Sequence, residues 1–193
     1  MKKVLLTIAM VALGFTANAQ EITFGVKAGL NIANLSGDTP EGSSGRTSFH
    51  VGGAVEIEVS DKFSIQPELV YSAQGMKFEQ EGVDLTMKLD YLNVPLMAKY
   101  YVAEGFSLEI GPQIGFNLSA KAKGEQGGVS ATTDLEEISS IDFGANFGFG
   151  YKLDSGLNFG ARYNLGLSNV IDSDNTNESS KNGVFQVSVG YNF

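Results

Sequence analysis

The last eleven residues of the chain, 183–193, read GVFQVSVGYNF, and they decide the fold. Apolar side chains occupy every second position of this stretch, and small or polar residues lie between them. A period of two places the apolar residues on one face of a β-strand and the other residues on the opposite face. The strand runs to Phe193, the last residue, so no later segment covers its edge. We therefore expect this edge to pair with another strand of the same chain, which closes the sheet into a barrel.

The same alternation occurs in eight segments of the chain. They are residues 22–34, 49–59, 63–77, 85–102, 106–120, 140–153, 157–169 and 183–193. Each segment is long enough for a tilted crossing of a bilayer, which needs roughly 9–11 residues. Three short turns alternate with four polar loops, the turns at 60–62, 103–105 and 154–156 and the loops at 36–48, 79–84, 121–139 and 171–181. Short turns at one end and long loops at the other are typical of an outer-membrane barrel.

The sequence thus predicts an all-β fold, an eight-stranded antiparallel up-and-down transmembrane β-barrel. Pro95 lies inside the fourth segment, and because proline cannot donate to a β-ladder it predicts a bulge or a local break in pairing. Two other folds remain open. A soluble eight-stranded barrel of the lipocalin type would turn its apolar face inward around a ligand, and a β-sandwich would bury that face between two sheets. The continuous, aromatic-rich apolar face favours the membrane barrel, because such a surface would aggregate in water.

The N-terminus predicts export. Lys2 and Lys3 precede an apolar run at 4–15, and Ala17-Asn18-Ala19 supplies the small-x-small cleavage pattern. We expect a signal peptide at 1–19, cleavage between Ala19 and Gln20, and one barrel domain at 20–193. A retained N-terminal anchor is the alternative. The chain contains no cysteine, so neither a disulfide nor a lipoprotein anchor is available.

The net charge argues against one class of partner. The formal charge is −9, and removal of Lys2 and Lys3 with the signal peptide makes it −11. Nucleic acid would repel such a chain, so no nucleic-acid partner is expected.

Four stretches of the sequence resemble a known family. They are FGVKAGLNIANLSG at 24–37, LDYLNVPLMAKYY at 89–101, SLEIGPQIGF at 107–116 and the terminal YNF. The chain resembles the small outer-membrane β-barrel proteins of Bacteroidota, the porin-family or PorT-like group. The resemblance implies eight strands and the outer membrane of a Gram-negative bacterium, and it implies little about activity. Tyr191 and Phe193 are similar to the terminal signal that the barrel-assembly machinery reads.

Charged residues recur on the predicted lumen face of the strands. They are Lys27, Glu56, Glu58, Glu68, Lys99, Glu109, Asp142, Lys152 and Arg162. An eight-stranded lumen is only wide enough for side chains to fill. One interpretation is a plugged interior of paired charges, since an unpaired buried charge costs several kcal/mol. The other is a gated ion path through the same charges.

The sequence gives little support for catalysis or metal binding. His50 is the only histidine, and the chain lacks cysteine, so we expect no enzyme, no cofactor and no zinc site. Asp172, Asp174, Thr176 and Glu178 alternate somewhat like a calcium loop, but the glycine and the terminal glutamate of that motif are missing. A solvated acidic loop is the simpler interpretation of these residues.

The function predicted from sequence is that of a non-enzymatic structural or envelope barrel with a plugged lumen. The alternatives are a surface recognition or binding protein that acts through its extracellular loops, and a minor pore for ions or small solutes. The expected partners are outer-membrane lipid and, during biogenesis, the barrel-assembly machinery. We expect a monomer with both termini in the periplasm, and the sequence indicates no particular extracellular partner.

Overall fold

The computed structural model describes residues 21–40, 42–80, 82–171 and 179–193, and these form nine antiparallel β-strands. The strands are β1 Ile22–Gly37, β2 Ser44–Ser60, β3 Phe63–Gln80, β4 Val83–Ala103, β5 Phe106–Gln126, β6 Val129–Asp134, β7 Ile141–Lys152, β8 Leu157–Gly166 and β9 Ser180–Asn192. The predicted signal peptide with its cleavage site at Ala19 and Gln20, and the calcium-like residues 172–178, lie outside the described residues. No helix in the described ranges is long and apolar enough to cross a membrane.

Eight of the nine strands form a closed ring. Each pairs with its neighbours in the order β1, β2, β3, β4, β5, β7, β8, β9, and β9 pairs again with β1. The closing seam runs from Gly25 opposite Asn192 to Gly37 opposite Ser180. Beyond it, the Phe193 amide donates to the Phe24 carbonyl oxygen at 2.8 Å. The predicted eight-stranded up-and-down barrel is confirmed, and its final strand pairs on both edges as expected.

The outer wall of the ring carries an apolar belt. Every strand of the ring contributes large apolar side chains that are exposed on the outside, with exposed fractions from 39% to 65%. The belt consists of Phe24, Val26, Leu30, Ile32, Phe49, Val51, Leu69, Val94, Leu96, Leu108, Ile110, Ile114, Phe116, Leu118, Phe143, Phe147, Phe149, Phe159, Leu165, Phe185, Val187 and Val189. A continuous apolar surface of this kind fits hydrocarbon and not water. The apolar face therefore points outward, opposite to its direction in a lipocalin-type barrel.

The two ends of the barrel differ. At one end the tight turns at 61–62, 104–105 and 153–156 join neighbouring strands, and the start of β1 and the end of β9 lie beside them. We call this the turn end. The opposite end, which we call the loop end, carries the connections after β1 and β8 and two β-hairpins that extend the wall of the barrel.

Those two hairpins correct the loop predictions. The predicted loop at 79–84 is wrong, because β3 continues to Gln80, which pairs with Val83 at the start of β4. The loop predicted at 121–139 is largely a hairpin, in which β5 extends to Gln126 and pairs with β6. The prediction of four long polar loops is therefore wrong at these two connections.

Two consecutive glycines form the turn of the second hairpin. Gln126 pairs with Val129, and Gly127 and Gly128 between them have φ values of 56° and 85°. Positive φ at both central residues is the requirement of a type I′ turn, whose twist matches that of the flanking strands. The glycine pair is therefore the sequence signal that favours a hairpin over a loop here.

Pro95 interrupts β4 without shifting it. Pro95 pairs with Gln113, and the next regular pair, Ala98 with Ile110, keeps the same register. Pairing with β3 is likewise interrupted between Pro67 and Val70 without a shift. Of the two predicted outcomes, the local break is the one observed, and the register shifts of β4 occur elsewhere, near Tyr91 and Ala103.

Candidate functional site

The lumen near the turn end contains a connected network of ion pairs, which we call the charged layer. Eight of the nine predicted lumen charges belong to it. They are Lys27, Glu56, Glu58, Glu68, Lys99, Glu109, Lys152 and Arg162. These four cations and four carboxylates sum to zero formal charge.

Glu68 is the centre of the charged layer. Arg162 approaches it with both terminal nitrogens, at 2.9 Å and 2.8 Å, so two parallel hydrogen bonds join the guanidinium and the carboxylate. Lys27 lies 3.3 Å away, and the Gln66 side-chain amide donates to Glu68 at 2.8 Å. The Glu68 side chain is fully inaccessible to solvent. This carboxylate has therefore exchanged its hydration for three protein donors.

The network continues from Arg162 toward the turn end. Arg162 also lies 3.1 Å from Glu109, which in turn lies 3.9 Å from Lys99. Lys99 pairs with Glu56 at 3.2 Å. Lys152 bridges the last two carboxylates, since it lies 3.7 Å from Glu56 and 3.6 Å from Glu58. Charges from seven of the eight ring strands, all except β9, thus meet across the lumen.

Glycines beside these charges supply the space that the side chains need. Glu109 and Arg162 both lie opposite Gly148 in the strand register. A Cβ on Gly150 would approach Glu109 Oε1 to 2.6 Å. The small residues between the charges on the lumen face are therefore part of the network's geometry, because larger side chains would displace the carboxylates.

Asp142 lies in the lumen but apart from the charged layer. Its side chain accepts hydrogen bonds from Ser168 Oγ at 2.8 Å and from Asn182 Nδ2 at 3.3 Å, near the loop end. The alternation of their strands alone predicted that Asp142 and Arg162 both face the lumen. Strands of a barrel tilt and stagger, so the face of a residue does not reveal its height in the lumen.

A layer of buried amides lies above the charged layer, and sequence reasoning missed it. We call it the amide layer; it consists of Asn31, Gln113, Asn146, Asn164 and Gln186 together with His50 and Ser72. Asn31 Nδ2 donates to the Ala73 carbonyl oxygen at 2.8 Å, and Asn31 Oδ1 accepts from Gln186 at 2.9 Å. The alternating polar positions of the strands carried this signal, but only the charged members were selected.

His50 belongs to the amide layer and has no catalytic neighbours. Its Nδ1 lies 2.7 Å from Asn31 Oδ1, and its Nε2 lies 3.2 Å from Ser188 Oγ. His50 is 1% exposed, so its ring is buried inside the lumen. Among the described residues, no three His, Cys, Asp or Glu side chains are grouped to hold a metal ion.

An apolar plug closes the lumen toward the loop end. It consists of Leu35, Met76, Leu89, Tyr91 and Val170, all of which are buried, with Phe78, Met87, Ala120 and Ile138 packed against them. This plug was also missed. Met76, Leu89 and Tyr91 lie in parts of the predicted strands to which no face was assigned, and Leu35 and Val170 lie just beyond the predicted ends of their strands. The cue was an apolar residue at a lumen-facing position, such as Met76 two residues after Gln74.

The remaining space in the lumen is small. A cavity of about 40 Å³ lies inside the charged layer, beside Lys27, Lys99, Glu109 and Arg162. A cavity needs roughly 10–15 Å³ of such volume for one water molecule, so this one holds a few waters at most. A wider vestibule of about 320 Å³ opens at the turn end and is bordered by Glu58, Tyr101 and Lys152.

The sequence family agrees with this architecture. The family model for the outer membrane protein beta-barrel domain matches residues 18–172. The chain belongs to this family. Membership indicates location in the outer membrane, and the apolar belt is consistent with this because it fits hydrocarbon. A comparison with curated protein sequences gives no match.

Solved structures show the same fold. Ail, the attachment invasion locus protein of Yersinia pestis, has a TM-score of 0.56 and 17% identity, and the match covers 90% of this chain and 99% of Ail. Neisserial surface protein A has a TM-score of 0.53 and 15% identity, with the same two coverages. Ail in complex with the heparin analogue sucrose octasulfate gives a TM-score of 0.54 and 19% identity, again with these coverages. At such identities the likeness concerns the fold alone.

Proposed function

We propose that the protein is a non-enzymatic envelope barrel with a closed lumen, which acts through its surface and not as a conduit. The observation that carries this proposal is the filling of the lumen by three successive layers. The charged layer spans the lumen near the turn end, the amide layer follows it, and the apolar plug closes the loop end. A hydrated ion would have to break paired charges and then pass an apolar seal.

Charge balance supports the closed state over the minor pore. The four cations and four carboxylates of the charged layer neutralise one another, and none is left over to attract a permeant ion. Moving Glu68 aside would leave Lys27 buried without its carboxylate, at a cost of several kcal/mol. The structure therefore favours a rigid seal over a gate.

Single-channel recording tests this proposal. Protein purified from the outer membrane is inserted in a planar bilayer, and a heat-modifiable gel shift shows that it is folded. We expect no conductance steps from the wild type. The variant Glu68→Ser/Arg162→Ser/Leu89→Ser/Tyr91→Ser keeps the network neutral but removes large side chains from both the charged layer and the apolar plug. Steps from this variant show that the assay detects an opening. Wild-type steps that change on neutralisation of Glu109 would overturn the proposal.

We also propose that the turn end and both termini face the periplasm and that the loop end faces the exterior. The predicted signal peptide and the short turns at one end support this orientation. Because the chain contains no cysteine, single replacements give clean labelling sites. An impermeant maleimide should label Gly127→Cys in intact cells and Asp61→Cys only after the envelope is permeabilised. The reverse pattern would refute the orientation.

Recognition through the loop end is the second candidate function, and the β5–β6 hairpin favours it. All six residues of β6 are exposed, and among the described strands β6 pairs only with β5. An exposed strand edge is a surface to which another chain can add a strand. Deleting residues 122–133 separates the two functions, since envelope defects that survive the deletion favour the structural role, and loss of one binding event favours recognition.

The remaining predicted partners are proposals of the same kind. Outer-membrane lipid fits the apolar belt, and the barrel-assembly machinery would read Tyr191 and Phe193, which are exposed at the turn end. A monomer is proposed because the ring satisfies its own strand edges. The narrower assignment to the PorT-like barrels of Bacteroidota stays a prediction from the four sequence stretches.

A further inference from the structure

Four lysines share the outer face of the wall at the loop end, and we call them the lysine patch. They are Lys77 on β3, Lys88 on β4, and Lys121 and Lys123 on β5. Their sequence neighbours Phe78, Met87 and Ala120 pack inward against the apolar plug. Because side chains alternate between the faces of a strand, the lysines point away from the lumen.

Strand register makes these lysines neighbours. Lys88 lies directly opposite Lys121, and one step farther along the strands Thr86 lies between Lys77 and Lys123. Adjacent strands lie about 4.8 Å apart, and residues two apart on a strand lie about 6.7 Å apart. The backbone positions of the four lysines therefore enclose an area of roughly 10 Å by 7 Å, which matches one or two phosphate groups within reach of their side chains.

The protein around the patch neutralises it only in part, since two of the four lysines have a carboxylate partner. Like charges directly opposite each other on a sheet are destabilising, as Lys88 and Lys121 are. Lys121 has one weak partner, Asp134, at 3.8 Å, and Lys123 pairs with Glu125 at 2.8 Å. That hydrogen bond holds the pKa of Glu125 below its usual range. Within the described residues, neither Lys77 nor Lys88 has a carboxylate within 4.0 Å.

The position of the patch relative to the membrane fits lipid headgroups. Leu118, an exposed residue of the apolar belt, precedes Lys121 by three residues, or about 10 Å along a strand. With the usual strand tilt this distance places the lysines in the polar layer just outside the hydrocarbon. The next row of exposed side chains, Glu79, Asp84 and Glu125, is acidic and lies farther from the membrane.

We propose that the lysine patch binds the phosphate groups of lipid headgroups in the leaflet around the loop end. In the orientation proposed above this is the outer leaflet. Charge complementarity supports the assignment, because four of the eleven basic residues after Ala19 gather here on an otherwise acidic chain. Basic clusters at the membrane surface attract anionic headgroups. The proposal does not depend on whether the lumen is closed.

Lipid binding by two charge variants tests the proposal. The protein, purified from the outer membrane, is reconstituted in neutral phosphatidylcholine nanodiscs and titrated with bisphosphorylated lipid A. We expect the dissociation constant to rise roughly 30-fold in Lys88→Gln/Lys121→Gln. Lys62→Gln at the turn end is the matched control and should bind like the wild type. Lipid A stripped of its phosphates should not distinguish the wild type from the double variant.

Three results would overturn the proposal. The first is equal lipid A binding by the wild type and the double variant when both show the gel shift of a folded barrel. The second is an equal loss of affinity in Lys62→Gln, which would indicate a response to net charge alone. The third is displacement of lipid A by an equal concentration of inorganic phosphate, which would make free phosphate the ligand.

Discussion

Replacing Glu68 by glutamine should destabilise the barrel more than any other single neutralisation in the lumen. Glu68 is fully buried and joins two cations, Arg162 and Lys27. Removing one partner of a buried ion pair costs about 3–5 kcal/mol, because the other charge stays buried without compensation. Arg162 keeps Glu109 at 3.1 Å, whereas Lys27 loses its carboxylate. We therefore expect the lower end of that range, about 3 kcal/mol.

The assay is reversible denaturant unfolding in phospholipid vesicles. Two probes follow it, the gel shift and far-ultraviolet circular dichroism, because the chain contains no tryptophan for fluorescence. Glu58→Gln is the matched control, since the Glu58 side chain is 35% exposed and its pair with Lys152 at 3.6 Å is partly solvated. Its loss should cost less than about 1 kcal/mol. The same chemical change is thus made in the centre and at the rim of one network.

A double-mutant cycle shows whether the cost comes from the unpaired charge. Lys27→Met/Glu68→Gln restores neutrality, so its free energy of unfolding should fall by less than the sum of the two single losses. We expect an interaction energy of about 2 kcal/mol, within the usual range for residues in one network. Additive losses, or a Glu68→Gln protein that matches Glu58→Gln, would refute the account of the charged layer as a coupled unit.

Three further changes test other parts of the barrel. Gly29→Ala should lower folding yield in vesicles, since its Cβ would lie 1.9 Å from the Val187 carbonyl oxygen, whereas Gly53→Ala, with 3.7 Å of clearance, should fold normally. Ile110→Arg, on the lipid face, should cost about 2–4 kcal/mol in vesicle unfolding, and Val129→Arg on the hairpin should cost almost nothing. Phe193→Ala should reduce the amount of barrel in the outer membrane of cells while leaving refolding in vesicles intact; equal losses in both would contradict an assembly signal.

The faces of the strands could be predicted from the sequence because side-chain alternation is a local property. Arg162 and Glu68 were both placed in the lumen by a period of two alone. Their contact could not be predicted, since they lie 94 residues apart on opposite walls, and only the stagger of the closed barrel brings them to one height. For the same reason Asp142 was grouped with charges that lie far below it.

The wall beyond the membrane was harder to predict than the wall inside it. In the belt, burial against lipid and lumen enforces strict alternation, whereas the extensions of β3, β4 and β5 carry polar residues on their outer face and read as loops. The Gly127–Gly128 turn was the available evidence for a hairpin. Met76 and Leu89 were available evidence for the plug. Their contacts with residues of other strands could not be predicted, because alternation gives the face of a residue but not its height in the lumen.

The division of charge between lumen and surface connects the fold to the proposed function. The eight charges of the charged layer sum to zero, so the whole net charge of the chain from residue 20 onward lies outside it. Buried pairs are screened little by salt, whereas exposed charges interact over a Debye length of about 10 Å at 0.1 M. The interior is thus insulated from changes in the medium, and the surface responds to them. The charges whose interactions change with salt therefore lie on the surface, where the barrel meets lipid and solvent. Both candidate functions and the lysine patch are located on this surface.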